Sequence, residues 1–387
     1  MSAPETHAPG EQESRRERVR SLLRAGDEPG LIAYLDRFHP SDIAAILAEL
    51  DDEERISVLS TLPAEIASEA LAEMEREALP EELLAALGPE RVGELIAELA
   101  DDDAADLLRE LPPEEQAAVL ATLPRLEAGE LRELLAYPEE SAGGIMTTEL
   151  VAVPVNLTAG AAIDEVRRQA QLLGGEFYTV FVVDQYWRLR GTVSLQSLVI
   201  AEPSTPIARL VEPPLATVRV DMDQEEVGRL IARYNVPSVP VIDPDGVLLG
   251  RITWDDVIDV IEAEQTEDIL RLGGIVADEE IRGGWFGAVR SRLPWLFVNL
   301  FTAALAASIV YFFQAAIESA VILAAIMPVI AGMGGNAGTQ VLAVTVRRLA
   351  LTDESTARRW GVVGKELLVG LFNGAALGLF VGLVSYV

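Results

Sequence analysis

The chain has 387 residues, 62 of them acidic and 30 basic, for a formal net charge of −32, and that length fits two or three domains with several cores. Half of the residues are hydrophobic and the mean hydropathy is +0.26, which excludes a disordered acidic chain; the charge excludes the basic footprint of a nucleic-acid binder and makes small cations the natural partners. With no cysteine and only His7 and His39, disulfides, thiolate sites, cysteine nucleophiles and a multi-histidine zinc site are excluded.

Residues 1–20, opening with MSAPETHAPGEQESRRER, lack the apolar core of a secretory signal. They are expected to be a disordered tail. Residues 21–140 form the next block, and within it Asp42-IAAILAELDDEERISVLSTL-Pro63 aligns without gaps on Asp103-AADLLRELPPEEQAAVLATL-Pro124. Leucine and isoleucine recur at helical spacing and each copy ends at proline, which predicts stacked helix pairs, a short all-α solenoid.

The character changes after residue 140. Strand-like stretches VAVPV, FYTVFVVD, ATVRV and SVPVIDPDGVLLGRIT alternate with helical patterns at 159–173 and 223–234. Two halves, 141–201 and 202–264, repeat each other: Leu189-Arg-Gly191-Thr-Val-Ser194 matches Leu248-Leu-Gly250-Arg-Ile-Thr253. The pair resembles a tandem of CBS domains, an α+β unit. In CBS modules that bind adenine nucleotides, the hydroxyl residue holds phosphate and the acid three residues on binds ribose. The second repeat keeps both, as Thr253 and Asp256, whereas the first has Ser194 and Ser197; ATP is therefore a candidate ligand at the second repeat. The alternative is that Asp256 caps a helix.

A helix is predicted from 254 to 271, continuing toward a connector at 265–292. Asp255, Asp259 and Glu262 fall at i, i+4 and i+7 on it, one acidic stripe. Asp102 and Asp106 repeat the i, i+4 arrangement in the helical domain, and Asp221 and Asp223 open the second CBS helix. A solvated face explains many such stripes. Like charges at this spacing nevertheless repel, and divalent cations between the faces would offset that repulsion.

Three uncharged runs complete the chain, at 293–313, 319–346 and 367–387, each long enough to span a bilayer. Arg290 and Arg292 precede the first, and Arg347, Arg348, Arg358 and Arg359 separate the second from the third. The positive-inside rule then places the acidic region in the cytoplasm, below an inner or plasma membrane. The second run contains Pro328 and a glycine-rich stretch, with irregular backbone expected around Gly334, Gly335 and Gly338. Close packing of small residues is one reading. Asn336 and Gln340, a turn apart, offer carbonyl oxygens suited to a cation path.

The order of these parts, with PVIAGMGGNAGTQ in the membrane, Glu140-SAGGIMTTEL-Val151 before the CBS pair, and DMDQEEVGRL and DDVIDVIEAEQTEDI around the second repeat, resembles the MgtE family of magnesium transporters. The resemblance covers about residues 21–387. It implies a homodimeric Mg2+ channel whose connecting, or plug, helix closes the pore when cytosolic Mg2+ bridges the helical and CBS domains. It makes Asp102 and Asp106 the helical-domain ligands, Asp221, Asp255, Asp256, Asp259 and Glu262 the CBS and plug ligands, and Asn336 the pore asparagine. Arg233 stands where close relatives can carry an acid. Family members have five membrane helices; three are present here, so the sequence is expected to be a C-terminal truncation that does not support uptake by itself. Mg2+ is thus both regulator and cargo, with the bilayer and a second copy as partners. The alternatives are a membrane-anchored adenylate sensor and a channel for Co2+ or Mn2+. No enzymatic motif is present.

Overall fold

The computed structural model describes residues 9–74, 81–171, 177–275, 285–319, 321–351 and 356–386. The chain divides into two units, Met1–Glu262 and Ala263–Val387, each described by itself.

Ten helices build the first part of unit one: α1 (Pro9–Ala25), α2 (Glu28–Leu35), α3 (Pro40–Ala48), α4 (Asp52–Thr61), α5 (Ala64–Ala72), α6 (Glu81–Leu87), α7 (Pro89–Ile96), α8 (Asp101–Arg109), α9 (Pro113–Leu120) and α10 (Arg125–Leu134). Most are short because caps and prolines stop them. Asp51 and Glu54 form a reciprocal capping box at the start of α4, and proline at or just before the first turn opens α3, α5, α7, α9 and α10. Each helix packs on the one two places along, α3 on α5, α5 on α7, α7 on α9, and α8 on α10. That is the stacking predicted from the sequence repeat.

The tail expected to be disordered is a correction. Residues 9–25 are helical, with Val19 and Leu22 buried in the common core; residues 1–8 lie outside the described residues. Arg15 pairs with Asp42, Arg16 with Glu49, and Arg20 with Glu54 at 2.9 Å, so a run of arginines that reads as solvated clamps the acids of α3 and α4.

Each CBS repeat supplies a three-stranded sheet and helices. In the first, β1 (Ala152–Pro154) lies parallel to β2 (Thr179–Val183), which is antiparallel to β3 (Leu189–Ser194); in the second, β4 (Val218–Arg219), β5 (Ser238–Ile242) and β6 (Leu248–Thr253) repeat that order. Helices α11 (Ala159–Ala170), α12 (Leu195–Ile200) and α13 (Gln224–Tyr234) cover them, and α14 (Trp254–Leu272) follows β6. The first repeat has a core of its own around Val153, Val180, Val182 and Leu198. The second shares one continuous core with the helical domain, through Ala142, Met146, Val239, Ile252 and Val257.

Residues 141–148 carry that continuity. They open the first CBS repeat in sequence and bond to the second: Ala142 N donates to Met222 O at 2.7 Å, Gly143 N to Val220 O at 2.9 Å, and Thr147 and Arg251 exchange backbone bonds of 2.9 Å. Gly144 is obligatory, because a Cβ there would lie 2.3 Å from the carbonyl oxygens of Pro138 and Glu139.

Unit two holds α15 (Trp285–Phe312), α16 (Gln314–Ser319), α17 (Val321–Leu351) and α18 (Thr356–Tyr386). Three stretches are long and apolar enough to cross a membrane, Trp285–Phe312, Ala324–Arg347 and Gly361–Leu383. Two expectations change. The proposed connector 265–292 divides: α14 runs to Leu272, residues 276–284 lie outside the described residues, and residues 285–292 belong to the first membrane-length helix. The glycine-rich stretch of the second run is helical throughout, not irregular. Scattered glycines lower helix propensity without breaking the i→i−4 ladder, and Thr339 Oγ1 donates to Gly335 O at 3.1 Å within it.

The docked first helix is testable. Leu22→Ala removes a core side chain and is expected to destabilise the helical domain by about 2–5 kcal/mol in urea unfolding. A change indistinguishable from zero would mean that α1 does not pack there.

Candidate functional site

The site is assembled where α8 meets residues 141–149 and the start of α14. Both ends of α8 are fixed on one short stretch of chain. In its first turn the Asp101 carboxylate accepts from Thr147 Oγ1 at 2.5 Å, Thr148 N at 3.0 Å and Thr148 Oγ1. In its last turn Arg109 donates to Gly144 O at 3.1 Å and Leu134 O at 3.3 Å, and pairs with Asp106 at 2.5 Å. Arg251 Nε reaches Glu149 O at 2.7 Å, which ties the same segment to β6, immediately before α14.

The carboxylates held by these anchors repel one another. Oδ1 of Asp102 is buried and accepts no hydrogen bond. Burial pushes the Asp102 carboxyl well above the usual carboxylate range, and the charges of Asp256, Asp103 and Asp101 push it further. Asp103 keeps surface exposure, yet loss of water around its charge, with Asp256, Asp106, Glu73 and Asp255 nearby, raises it to about 7. Burial also raises Asp256, despite the hydrogen bond it accepts from Thr253, with Asp255 and Asp259 adding to the shift. Asp259 is raised by burial and then by Glu73, Glu262 and Asp255. Glu149 is raised by burial and by Asp101.

The predicted acids therefore fall into two groups. Asp102 on α8 lies close enough to Asp256 on α14 to feel its charge, with Asp255, Asp259 and Glu262 along the same α14, while Asp106 on α8 pairs with Arg109. Asp221 instead pairs with Arg219 at 2.9 and 3.1 Å, which holds its carboxyl low, and Asp223 caps α13 by accepting from Glu225 N at 3.0 Å. Sequence spacing missed Asp101, Asp103, Glu73 and Glu149. The triple Asp101-Asp102-Asp103 at a helix start was the available signal for two of them. Among the described residues, no three His, Asp or Glu side chains converge to hold one ion. Mg2+ keeps several waters and uses one or two carboxylates, so it does not need such a three-ligand cluster.

Thr253 and Asp256, the nucleotide candidates, bond to each other: Asp256 Oδ2 accepts from Thr253 N at 3.2 Å and from Thr253 Oγ1. This is the helix-cap reading of Asp256. Ser194 and Ser197 repeat it in the first repeat at 2.8 Å. A cavity of about 390 Å3 opens beside the first repeat instead, lined by Val155, Arg190, Ala208, Val211 and Pro213. In the membrane unit, Asn336 and Gln340 are exposed on α17, and a Cβ added at Gly334, Gly335 or Gly338 would meet nothing within 4 Å.

Comparison with known proteins matches each part. A family model described as the MgtE intracellular N domain covers residues 38–140, one for the CBS domain covers 142–204 and 207–263, and one described as a divalent cation transporter covers 327–387. The magnesium transporter MgtE of Thermus thermophilus is 38% identical over 379 residues, 95% of this chain and 83% of that protein. The magnesium transporter MgtE of Enterococcus faecalis is 41% identical over 258 residues, 67% of this chain and 56% of that protein. Among solved structures, the cytosolic domain of the Mg2+ channel MgtE in complex with ATP is 37% identical, with a TM-score of 0.59, and the match covers 63% of this chain and 99% of that one.

The acid crowding gives a pH prediction. Asp102, Asp103 and Asp256 bind protons more tightly folded than unfolded, so stability falls as pH rises from the ordinary value of 3.8 through about 7 for Asp103. In EDTA the thermal midpoint of the cytosolic part is expected to rise as pH is lowered from 7.5 to 5.5, and Asp103→Asn should flatten the slope. A midpoint that falls over that interval in the wild type contradicts the crowding.

Proposed function

The chain belongs to the MgtE family of magnesium transporters, and on that premise we propose that it conducts Mg2+ across the membrane and is held shut by cytosolic Mg2+ bound between the α8 and α14 faces. It is a multi-pass membrane protein with cytosolic N-terminal domains. The observation that carries the gating reading is the orphaned, buried Oδ1 of Asp102 confronted by the charge of Asp256. A buried unpaired carboxylate oxygen costs free energy until a cation or proton neutralises it.

Gating is then a population shift. A cation between the faces favours the docked state, and scarcity of the ion leaves the repulsion uncompensated. Helix α14 starts in the acid cluster at Asp255 and Asp256, so separation of the faces acts on the helix that leads toward the spans. Asp102, Asp106, Asp255, Asp256, Asp259 and Glu262 hold the regulatory ion, the homodimer supplies a second copy of the apparatus, and Gly334, Gly335, Asn336, Gly338 and Gln340 line the ion path. Asp221 and Asp223 are engaged by Arg219 and by a helix cap, as Asp106 is by Arg109 and Asp256 by Thr253, and an ion at any of these acids competes with that partner. ATP, the ligand of the related cytosolic domain, would have to displace an existing contact at either place, since Thr253 and Asp256 bond to each other and Arg190 pairs with Asp184 at 2.7 Å.

Two measurements test this reading. Raising Mg2+ from zero to about 10 mM, a range suited to weak carboxylate sites, should protect the cytosolic part from limited proteolysis, and the combined Asn replacement of Asp102, Asp106, Asp255 and Asp259 should remove most of the Mg2+ effect; a digestion pattern indifferent to Mg2+ in the wild type refutes ion sensing. Asn336→Leu should abolish Mg2+ uptake while leaving membrane insertion unchanged, and uptake at the wild-type rate would reduce the glycine-asparagine segment to a packing element.

A further inference from the structure

Asp101 and Asp102 are adjacent acids at the start of one helix, yet their surroundings are opposite. A carboxylate offers about four lone-pair sites. On Asp101 three are taken, by Thr147 Oγ1, Thr148 N and Thr148 Oγ1, and Thr147 is only 4% exposed, so water does not compete for its hydroxyl. On Asp102 the buried Oδ1 has no donor at all. Asp101 is thus nearly satisfied, whereas Asp102 keeps one buried oxygen unpaired, with a backbone hydrogen bond from Asp103 its other support.

From this contrast we infer that Asp101 is a positioning residue, a hydrogen-bond latch onto Thr147 and Thr148 that docks α8 on the second CBS repeat by itself and so sets the Mg2+ concentration at which the acid faces close. The inference rests on the ion-sensing reading above. The donors are two hydroxyls and a backbone amide, all neutral, so the latch needs no cation, and bonds to an ionised acceptor are stronger than neutral ones. Its position is what gives it control. The Cα of Asp102 is one residue, about 3.8 Å, away, and on the other side Thr147 exchanges backbone bonds with Arg251, two residues before the Thr253 cap that holds Asp256. Both members of the repelling pair are thus tied to a single scaffold through the latch. The contact of Arg109 with Gly144 O at the far end of α8 stops the helix from pivoting about Asp101.

The consequence is quantitative. Apparent ion affinity scales with the fraction of molecules already in the binding-competent arrangement. Breaking bonds to a charged acceptor lowers that fraction, and the ion must then supply what the latch no longer does. Loss of the latch is expected to raise the midpoint Mg2+ concentration for docking by about ten-fold or more.

The test uses the whole chain in detergent micelles, where the absence of native cysteine lets Leu126→Cys on α10 and Tyr186→Cys in the first CBS repeat, both exposed, carry the only spin labels. Inter-label distances are measured in EDTA and across a Mg2+ titration for wild type, Asp101→Asn, Thr148→Val and Thr148→Ser, with thermal midpoints recorded alongside. The latch predicts a docked population in EDTA that Asp101→Asn and Thr148→Val diminish, a higher Mg2+ midpoint in both, and wild-type behaviour in Thr148→Ser, which keeps the hydroxyl. A docked fraction and Mg2+ midpoint in Thr148→Val equal to wild type overturn it, as does failure of Thr148→Ser to restore what Thr148→Val loses. Wild-type distances that ignore Mg2+ would refute ion sensing, and the EDTA distances would still decide the latch.

Discussion

Repulsion between carboxylates that protein has partly stripped of water is the interaction on which the cytosolic part turns. Asp102 and Asp103 on α8 and Asp256 and Asp259 on α14 each carry a charge that burial disfavours and that neighbouring acids disfavour further. A protein selected only for stability would not retain them, since paired or apolar residues at such positions are better tolerated. Their cost is carried by the core that the helical domain shares with the second CBS repeat and by the hydrogen bonds of residues 141–149. On the proposed gating, an ion between these acids would bias the contact by neutralising the repulsion.

Asp255, Asp256 and Asp259 lie in the first two turns of α14, and the helix continues to Leu272. Its end is fixed by Gly273 and Gly274, the latter at φ +69°, where a Cβ would fall 2.3 Å from the Trp295 ring. Only glycine fits that approach. The first CBS repeat has a core of its own and is joined to the second through Ala152, Phe181 and Val183 packed with Leu248.

Much of this was legible in the sequence. The repeat at Asp42 and Asp103 gave the stacked helices, the matched Gly191 and Gly250 gave the paired sheets, and the uncharged runs gave the three membrane-length helices. The CBS resemblance singled out Asp256, and local spacing put Asp102 and Asp259 on acidic stripes. It did not find Asp101, Asp103, Glu73 or Glu149, because their proximity is tertiary and no periodicity encodes it. Arg15, Arg16 and Arg20 were misjudged for the same reason: their partners Asp42, Glu49 and Glu54 lie 27 to 34 residues away. Arg219 engages Asp221 and a cap position engages Asp223, contacts that no periodicity encodes, and glycine content suggested irregular backbone where the ladder of α17 is intact.

The central claim, that Mg2+ binds carboxylates whose proton affinity the fold has raised, is tested most directly by calorimetric titration of Mg2+ at pH 7 in two buffers of different ionisation enthalpy. Metal binding to a partly protonated acid releases protons, so the account predicts a buffer-dependent heat that corresponds to proton release and disappears when Asp102, Asp103 and Asp256 are replaced by Asn. Mg2+ binding with the same heat in both buffers would contradict it.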